Sequence, residues 1–366
     1  MKKNKKFKKM KKTKTINIIL LLILLMITIQ GCTDGRRPGP PIFVGTHGLE
    51  LKFLNNAPPD VVYEQSEVSI FIELWNRGAY TVPPYDTLIN LRFNPLYFSQ
   101  DNSDQNFFLT SNPTGQIQGA IIGKTETWPE GEKFIFPLTK LNINEIPGTR
   151  EMPTTELELV ACYAYKTFLS EMICLDTDIY QVDENPICRN KGRFTYSSQG
   201  APIAITRLDV ELLPLGFHET SPFASAPIVN EQGELIGLEQ ATQSERLILV
   251  EPVIRLYAKN VGRGDVFISK GENIPTENLC AFRDYSFEFR DHNKVKLSTA
   301  KLNGLDMDCG EKITLNLANP SDFITCRLHA NQTGYLRQNL EVPLVIELDY
   351  YYRDATKKEV KIQRMS

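Results

Sequence analysis

This 366-residue sequence predicts an all-β protein: two tandem immunoglobulin-like antiparallel sandwiches behind an N-terminal signal or anchor segment. Three observations carry that expectation. Phe and Tyr number 19 and 14, while Gly and Pro number 22 each, a composition of aromatic-rich strands joined by tight turns. Apolar residues alternate with a period of two, most clearly over residues 67–75, EVSIFIELW, and no stretch shows a capped helical period over three turns. Landmarks of the first half also return, in order, in the second.

The N-terminal segment is an export signal. Residues 1–15 carry nine lysines and no acid, and residues 16–29 are apolar apart from Asn17 and Thr28. Gln30-Gly31-Cys32 and the breaker-rich TDGRRPGPP follow. A basic region, an apolar core and a small residue before a processing point have that meaning. The apolar run of 14 residues is shorter than the roughly 20 that cross a bilayer. Ile29-Gln30-Gly31-Cys32 resembles a lipobox, which makes Cys32 the expected lipidation site. A lipid anchor is preferred to an uncleaved signal anchor and to a freely secreted product. All three place the remaining chain outside the cytoplasm, in the cell envelope, extracellular or periplasmic, with the membrane contacted through the N-terminal segment. Removing residues 1–31 takes away nine positive charges from a chain of net −3, leaving −12. An ectodomain that acidic argues against nucleic acid as a partner.

Residues 32–45 read as a Pro/Gly-rich spacer, 46–190 as the first module and 200–366 as the second, with the boundary inside 181–201. The first strand is expected over Gly48–Leu54, stopped by Ala57-Pro58-Pro59. In the next, 67–75, Val68, Ile70, Ile72 and Leu74 share one face, and Asn76-Arg77-Gly78 ends it. Leu88–Phe93 follows, then a long loop over 94–115, a returning strand Gln116–Ile122, and FIFPL with Pro137 marking an edge or bulge. Residues 156–166 and 171–176 are expected to form a hairpin around Thr167–Ser170. In the second half, Pro252–Ala258 runs into Asn260-Val261-Gly262. Asp291-His292-Asn293 turns Tyr285–Arg290 onto Lys294–Ser298, and Asn303-Gly304 suits a type I′ hairpin turn.

The repeat rests on three matches. Asn260-Val261-Gly262 falls on Asn76-Arg77-Gly78 at an offset of 184, with Ile254, Leu256 and Ala258 on Ile70, Ile72 and Leu74. Gly310-Glu311-Lys312 with ITLNL falls on Gly131-Glu132-Lys133 with FIFPL at 179. Leu344, Ile346, Leu348, Tyr350 and Tyr352 fall on Leu157, Leu159, Ala161, Tyr163 and Tyr165 at 187. A strand ending in Asn-x-Gly, a later Gly-Glu turn and a final Leu-x-Leu-x-x-x-Tyr-x-Tyr strand resemble the cell-adhesion-related (CARDB-type) immunoglobulin-like domains. The strings CYAYKT and QGAPIA resemble membrane-anchored archaeal surface proteins with tandem sandwiches. The resemblance implies surface display and adhesion, and it supplies no catalytic residues.

Chemistry-bearing patterns are sparse. Gly-x-Ser-x-Gly, His-Glu-x-x-His and a phosphate-binding glycine loop are all missing, and the four histidines are scattered. The expectation is therefore a non-catalytic protein without cofactor, with a protein or glycan partner at the cell surface. Two rivals remain. A pocket converging on His218 or His292 with carboxylates would favour a hydrolase, and an exposed edge strand free of Pro and Lys would favour an assembly subunit that pairs edges with other chains. Phe93, Tyr97, Phe98, Phe107 and Phe108 flank a polar loop tip and are candidates either for a ligand surface or for covering the sandwich's open end. Asp176, Asp178, Asp183 and Glu184 are a candidate Ca²⁺ cluster, weighed against a solvated acidic loop. Asn331 heads the one valid glycosylation sequon. The six ectodomain cysteines, Cys162, Cys174, Cys188, Cys280, Cys309 and Cys326, read as disulfides in an oxidising compartment. The expected hairpin favours Cys162–Cys174, with Cys174–Cys188 as the alternative.

Overall fold

The computed structural model describes residues 42–100, 117–148, 152–175, 188–219, 226–229, 235–239, 246–268, 292–329 and 339–365. The chain is all-β: eighteen strands, and no helix among the described residues. Residues Ile42–Ser366 form one compact unit rather than two bodies, and this unit includes residues 42–45 of the expected spacer.

Two very long strands form the spine. β7 (Thr154–Leu175) and β18 (Leu340–Gln363) pair antiparallel without a register break from Leu175↔Leu340 to Thr154↔Lys361. This overturns the expected hairpin around Thr167–Ser170. The alternation of inward residues continues unbroken through Tyr165, Thr167 and Leu169, and no Gly, Pro or Asn turns the chain there. Tyr163 pairs with Tyr352 and Tyr165 with Tyr350. Ala164 pairs with Tyr351, and these two are also repeat equivalents at the offset of 187, so a pseudo-two-fold axis passes between them.

The axis generates the rest of the molecule. On one side, β4 (Thr87–Phe93) extends the spine beside the first part of β7, as β14 (Lys294–Leu302) does beside the first part of β18. Over the inner face lie two four-stranded sheets. The first contains β1 (Leu49–Phe53), β3 (Glu67–Asn76), β6 (Lys133–Ile143) and β5 (Phe98–Gln100), in the order β1-β3-β6-β5. The second contains β17 (Ile324–Arg327), β12 (Arg246–Asn260), β9 (Ile203–Glu219) and β8 (Arg193–Thr195), in the order β17-β12-β9-β8. Leu49 of β1 opposes Asn76, and Ile203 of β9 opposes Asn260, so β1 and β9, and β3 and β12, are equivalent. A single apolar core runs through both halves, because each long strand contributes its inward side chains first to one sandwich and then to the other.

The local expectations fare differently. Asn76 and Asn260 do end equivalent strands, and Ile70, Ile72, Leu74, Ile254 and Leu256 are buried as the alternation required. At Pro137 the ladder with β3 skips a residue, which places the proline at a bulge. Asn303 and Gly304 both have positive φ between β14 and β15 (Leu305–Asp306), the type I′ signature. The Gly-Glu-Lys match fails. FIFPL lies in β6 against β3, but ITLNL supplies β16 (Thr314–Asn316) to β14 in the shared sheet, and β17 takes the place of β6. Gln116–Ile122 is not a strand in its described part; Ile121 forms only an isolated bridge to Val82. The turn at residue 291 and its preceding strand lie largely outside the described residues.

Candidate functional site

The pseudo-axis is marked by four tyrosines. Ring centroids are 5.7 Å apart for Tyr163–Tyr165, 5.8 Å for Tyr163–Tyr352 and 6.2 Å for Tyr165–Tyr350. Each hydroxyl is engaged. Tyr163 accepts from the Leu49 amide, and Tyr350 bonds Thr167, whose hydroxyl donates to the Ile203 carbonyl. Leu49 and Ile203 are equivalent, so one half does directly what the other does through a threonine. Burial pushes all four phenols up, Tyr352 to about 12, so they are neutral donors and acceptors at physiological pH.

The Asn-x-Gly turns close this cluster from both ends. Asn76 donates to the carbonyls of Tyr80 and Ile121 and accepts from the Gly78 amide and the Tyr165 hydroxyl. Asn260 repeats the scheme, donating to the Gly264 carbonyl and accepting from the Gly262 amide, while Tyr352 accepts from Gly264 N. Glycine is required at 78 because a Cβ there would meet the Tyr165 hydroxyl and the carbonyls of His47 and Gly200 well inside contact distance.

Beside the axis opens a cleft of about 460 Å³, lined by Phe43, Ala79, Tyr80, Lys166, Phe168, Gln199 and Glu347. It is a joint product of the two repeats. Tyr80 comes from the turn after β3 and packs edge-on against Tyr165 at 5.3 Å. Phe168 stands on the outer face of β7, with the Phe43 ring tilted against it at 5.8 Å. Gln199 is fixed by two bonds to the backbone of Ile205, and Lys166 pairs with Asp349 at 3.3 Å. Burial, with Asp86, Asp349 and Glu347 nearby, raises the Tyr80 phenol. The cleft thus presents three aromatic rings with an ammonium, a carboxylate and an amide at its walls, a set suited to an apolar ring edged by hydroxyls.

The residues singled out from sequence are mostly elsewhere. Phe98 is buried in the first sandwich, edge-on to Phe93 at 6.3 Å, and Phe93 and Tyr97 pack on the same core. Phe98 is thus a core residue, while Phe93 and Tyr97 are partly exposed at the end of the sandwich; Phe107 and Phe108 lie outside the described residues. So do Cys32, Cys280, Asn331, Asp176, Asp178, Asp183 and Glu184. Among the described residues no group of three or more His, Cys, Asp or Glu side chains could hold a metal ion. His292 packs edge-on against Phe267 at 4.5 Å, away from the cleft.

The disulfides are Cys174–Cys188 and Cys309–Cys326. The Cys162–Cys174 pairing is overturned: twelve residues apart on one extended strand, the two lie about 40 Å from each other. Cys162 is also disulfide-bonded, and it is buried on the outer face of the shared sheet with Leu88 and Val160, against Tyr351. The Cys174–Cys188 bond, the alternative the sequence offered, ties Cys188 to the end of β7.

No family model matches this chain, and no curated protein does. Among solved structures, the C-terminal domain of the Streptococcus agalactiae AgI/II polypeptide BspA aligns with 87% of this chain and 100% of its own length, at 9% identity and a TM-score of 0.14. A superposition at that score carries no argument.

Proposed function

We propose that this is an exported, membrane-anchored, non-catalytic surface protein, held through residues 1–32, whose cleft at the repeat junction binds a glycan of the cell envelope or of a neighbouring cell. The observation that supports this reading is the cleft itself. Phe43, Tyr80 and Phe168 offer ring faces on which the C–H face of a sugar can stack, and Lys166, Gln199 and Glu347 can meet its hydroxyls. The cleft is also pre-formed, because the tyrosine cluster fixes Tyr80 and the β7–β18 ladder fixes Phe168 and Glu347, so little ordering opposes binding.

The test uses the full chain in detergent on an array of envelope polysaccharides and oligosaccharides. Wild type should bind a defined saccharide class, and Phe43→Ala with Phe168→Ala should lose at least tenfold, or more than ~1.4 kcal/mol. Equal retention by wild type and the double variant, or retention only of proteins, would sink the glycan assignment. The anchor is checked in the same material: lipidation predicts mature protein beginning at a modified Cys32, and Cys32→Ala should leave uncleaved precursor.

A further inference from the structure

The pseudo-symmetry exposes an asymmetry at the edges of the spine. β4 covers β7 as far as Tyr163, and the Ala164 amide still donates to the Asp86 carbonyl. From Tyr165 to Leu175, no strand among the described residues pairs with that side of β7. N–H and C=O directions alternate along a strand, so Lys166, Phe168, Ser170 and Met172 aim their backbone groups outward. The equivalent edge of β18 is handled differently. There β2 (Val61–Tyr63) pairs in parallel with Lys361–Gln363, and Asp354, Lys357, Lys358, Glu359 and Lys361 supply the charges that discourage foreign strands. Over 165–175 the β7 edge has no Pro and a single Lys, Lys166, which is paired with Asp349 of β18. Met172, on the outer face, is 48% exposed.

We infer that this edge of β7 pairs with the same edge of a second copy, joining two shared sheets into one. The segment is self-complementary. An antiparallel two-fold pairing that keeps the inner and outer faces of both sheets must be centred on a residue, and the stretch 165–175, which no strand among the described residues pairs on that side, has Ser170 at its midpoint. That register sets Ser170 against Ser170 and Phe168 against Met172 of the second copy, on the outer face. It sets no like charges opposite one another, since Glu171 meets Leu169. Phe168 also lines the cleft, so the pairing brings two clefts to one join and makes the assembly bivalent for an immobile ligand. The inference stands on the edge and not on the identity of the cleft's ligand.

The full chain in detergent should run at twice the mass of one chain in light scattering. Met172→Lys, and Ser170→Pro, whose lost N–H is one that faces away from β18, should both run as monomers with the wild-type melting temperature. Ser170→Cys should give a cross-linked dimer on a non-reducing gel, as a directly opposed pair lies within disulfide reach. Met152→Cys, at an equally exposed site elsewhere, should not. A monomeric wild type overturns the inference. So does a dimer that survives Met172→Lys, or a Met152→Cys variant that cross-links as strongly as Ser170→Cys. Binding to the saccharide array is scored separately and is unaffected by monomerisation except through loss of bivalency.

Discussion

Asn76 shows how much one side chain can carry. It is fully buried, and all its hydrogen-bonding capacity is spent on three backbone groups and the Tyr165 hydroxyl. Removing it orphans those partners in the core, where each unsatisfied group costs about 1–3 kcal/mol. Asn260 occupies the equivalent place but is half-buried, so water can replace part of what it supplies. Asn76→Ala should therefore lower stability by roughly 3 kcal/mol or more, and Asn260→Ala by about 1, a contrast that urea melts of the two variants would resolve. Equal losses would mean that the two turns are not used differently. The sequence announced both asparagines through Asn-x-Gly after an alternating strand. It could not announce that a tyrosine some ninety residues away closes each turn, Tyr165 on Asn76 itself and Tyr352 on the Gly264 amide beside Asn260, because those contacts depend on strand packing.

At the level of strands, what was legible is what is local. The alternation of 67–75 and 252–258, the bulge at Pro137 and the turn at Asn303-Gly304 follow from periodicity and backbone preference within a few residues. The hairpin expected within β7 fails because two short alternating runs and one long one have the same period. The deciding signal is negative: Thr167-Phe168-Leu169-Ser170 contains no residue that favours a tight turn. The cleft residues were illegible for the same reason, since Phe43, Tyr80, Phe168 and Glu347 come from four separate segments. The long strand also changes the redox expectation. Cys174 sits near the end of β7 and closes a short loop to Cys188, which chain entropy values at about 3 kcal/mol. Non-reducing peptide mapping should yield a Cys174–Cys188 peptide, and Cys174→Ala with Cys188→Ala should lower stability without abolishing folding. A Cys162–Cys174 peptide would contradict the single-strand description of β7.

The whole molecule is a repeat that has given up independence. A tandem pair of sandwiches joined by a linker would tolerate separation, because each would keep its own core. Here the longest ladder in the protein joins the last strand of one repeat to the last strand of the other over 22 residues of β7. Cutting between 190 and 200 leaves each fragment with a long strand whose partner is gone. The tyrosine cluster is divided as well: Tyr163 and Tyr165 remain in one piece, Tyr350 and Tyr352 in the other. The fragment holding β2 would also lose the β18 end on which that strand is seated. Apolar faces opened in this way cost about 25 cal/mol per Å², and a domain's net stability is only about 5–15 kcal/mol. Residues 42–190 and 200–366 produced separately should therefore show no cooperative melt as monomers, and mixing them under oxidising conditions should recover a 1:1 complex that melts cooperatively. Circular dichroism with light scattering on the fragments and on their mixture decides the matter: a cooperative, monomeric transition in either fragment alone would mean that the β7–β18 ladder joins two domains that were already complete.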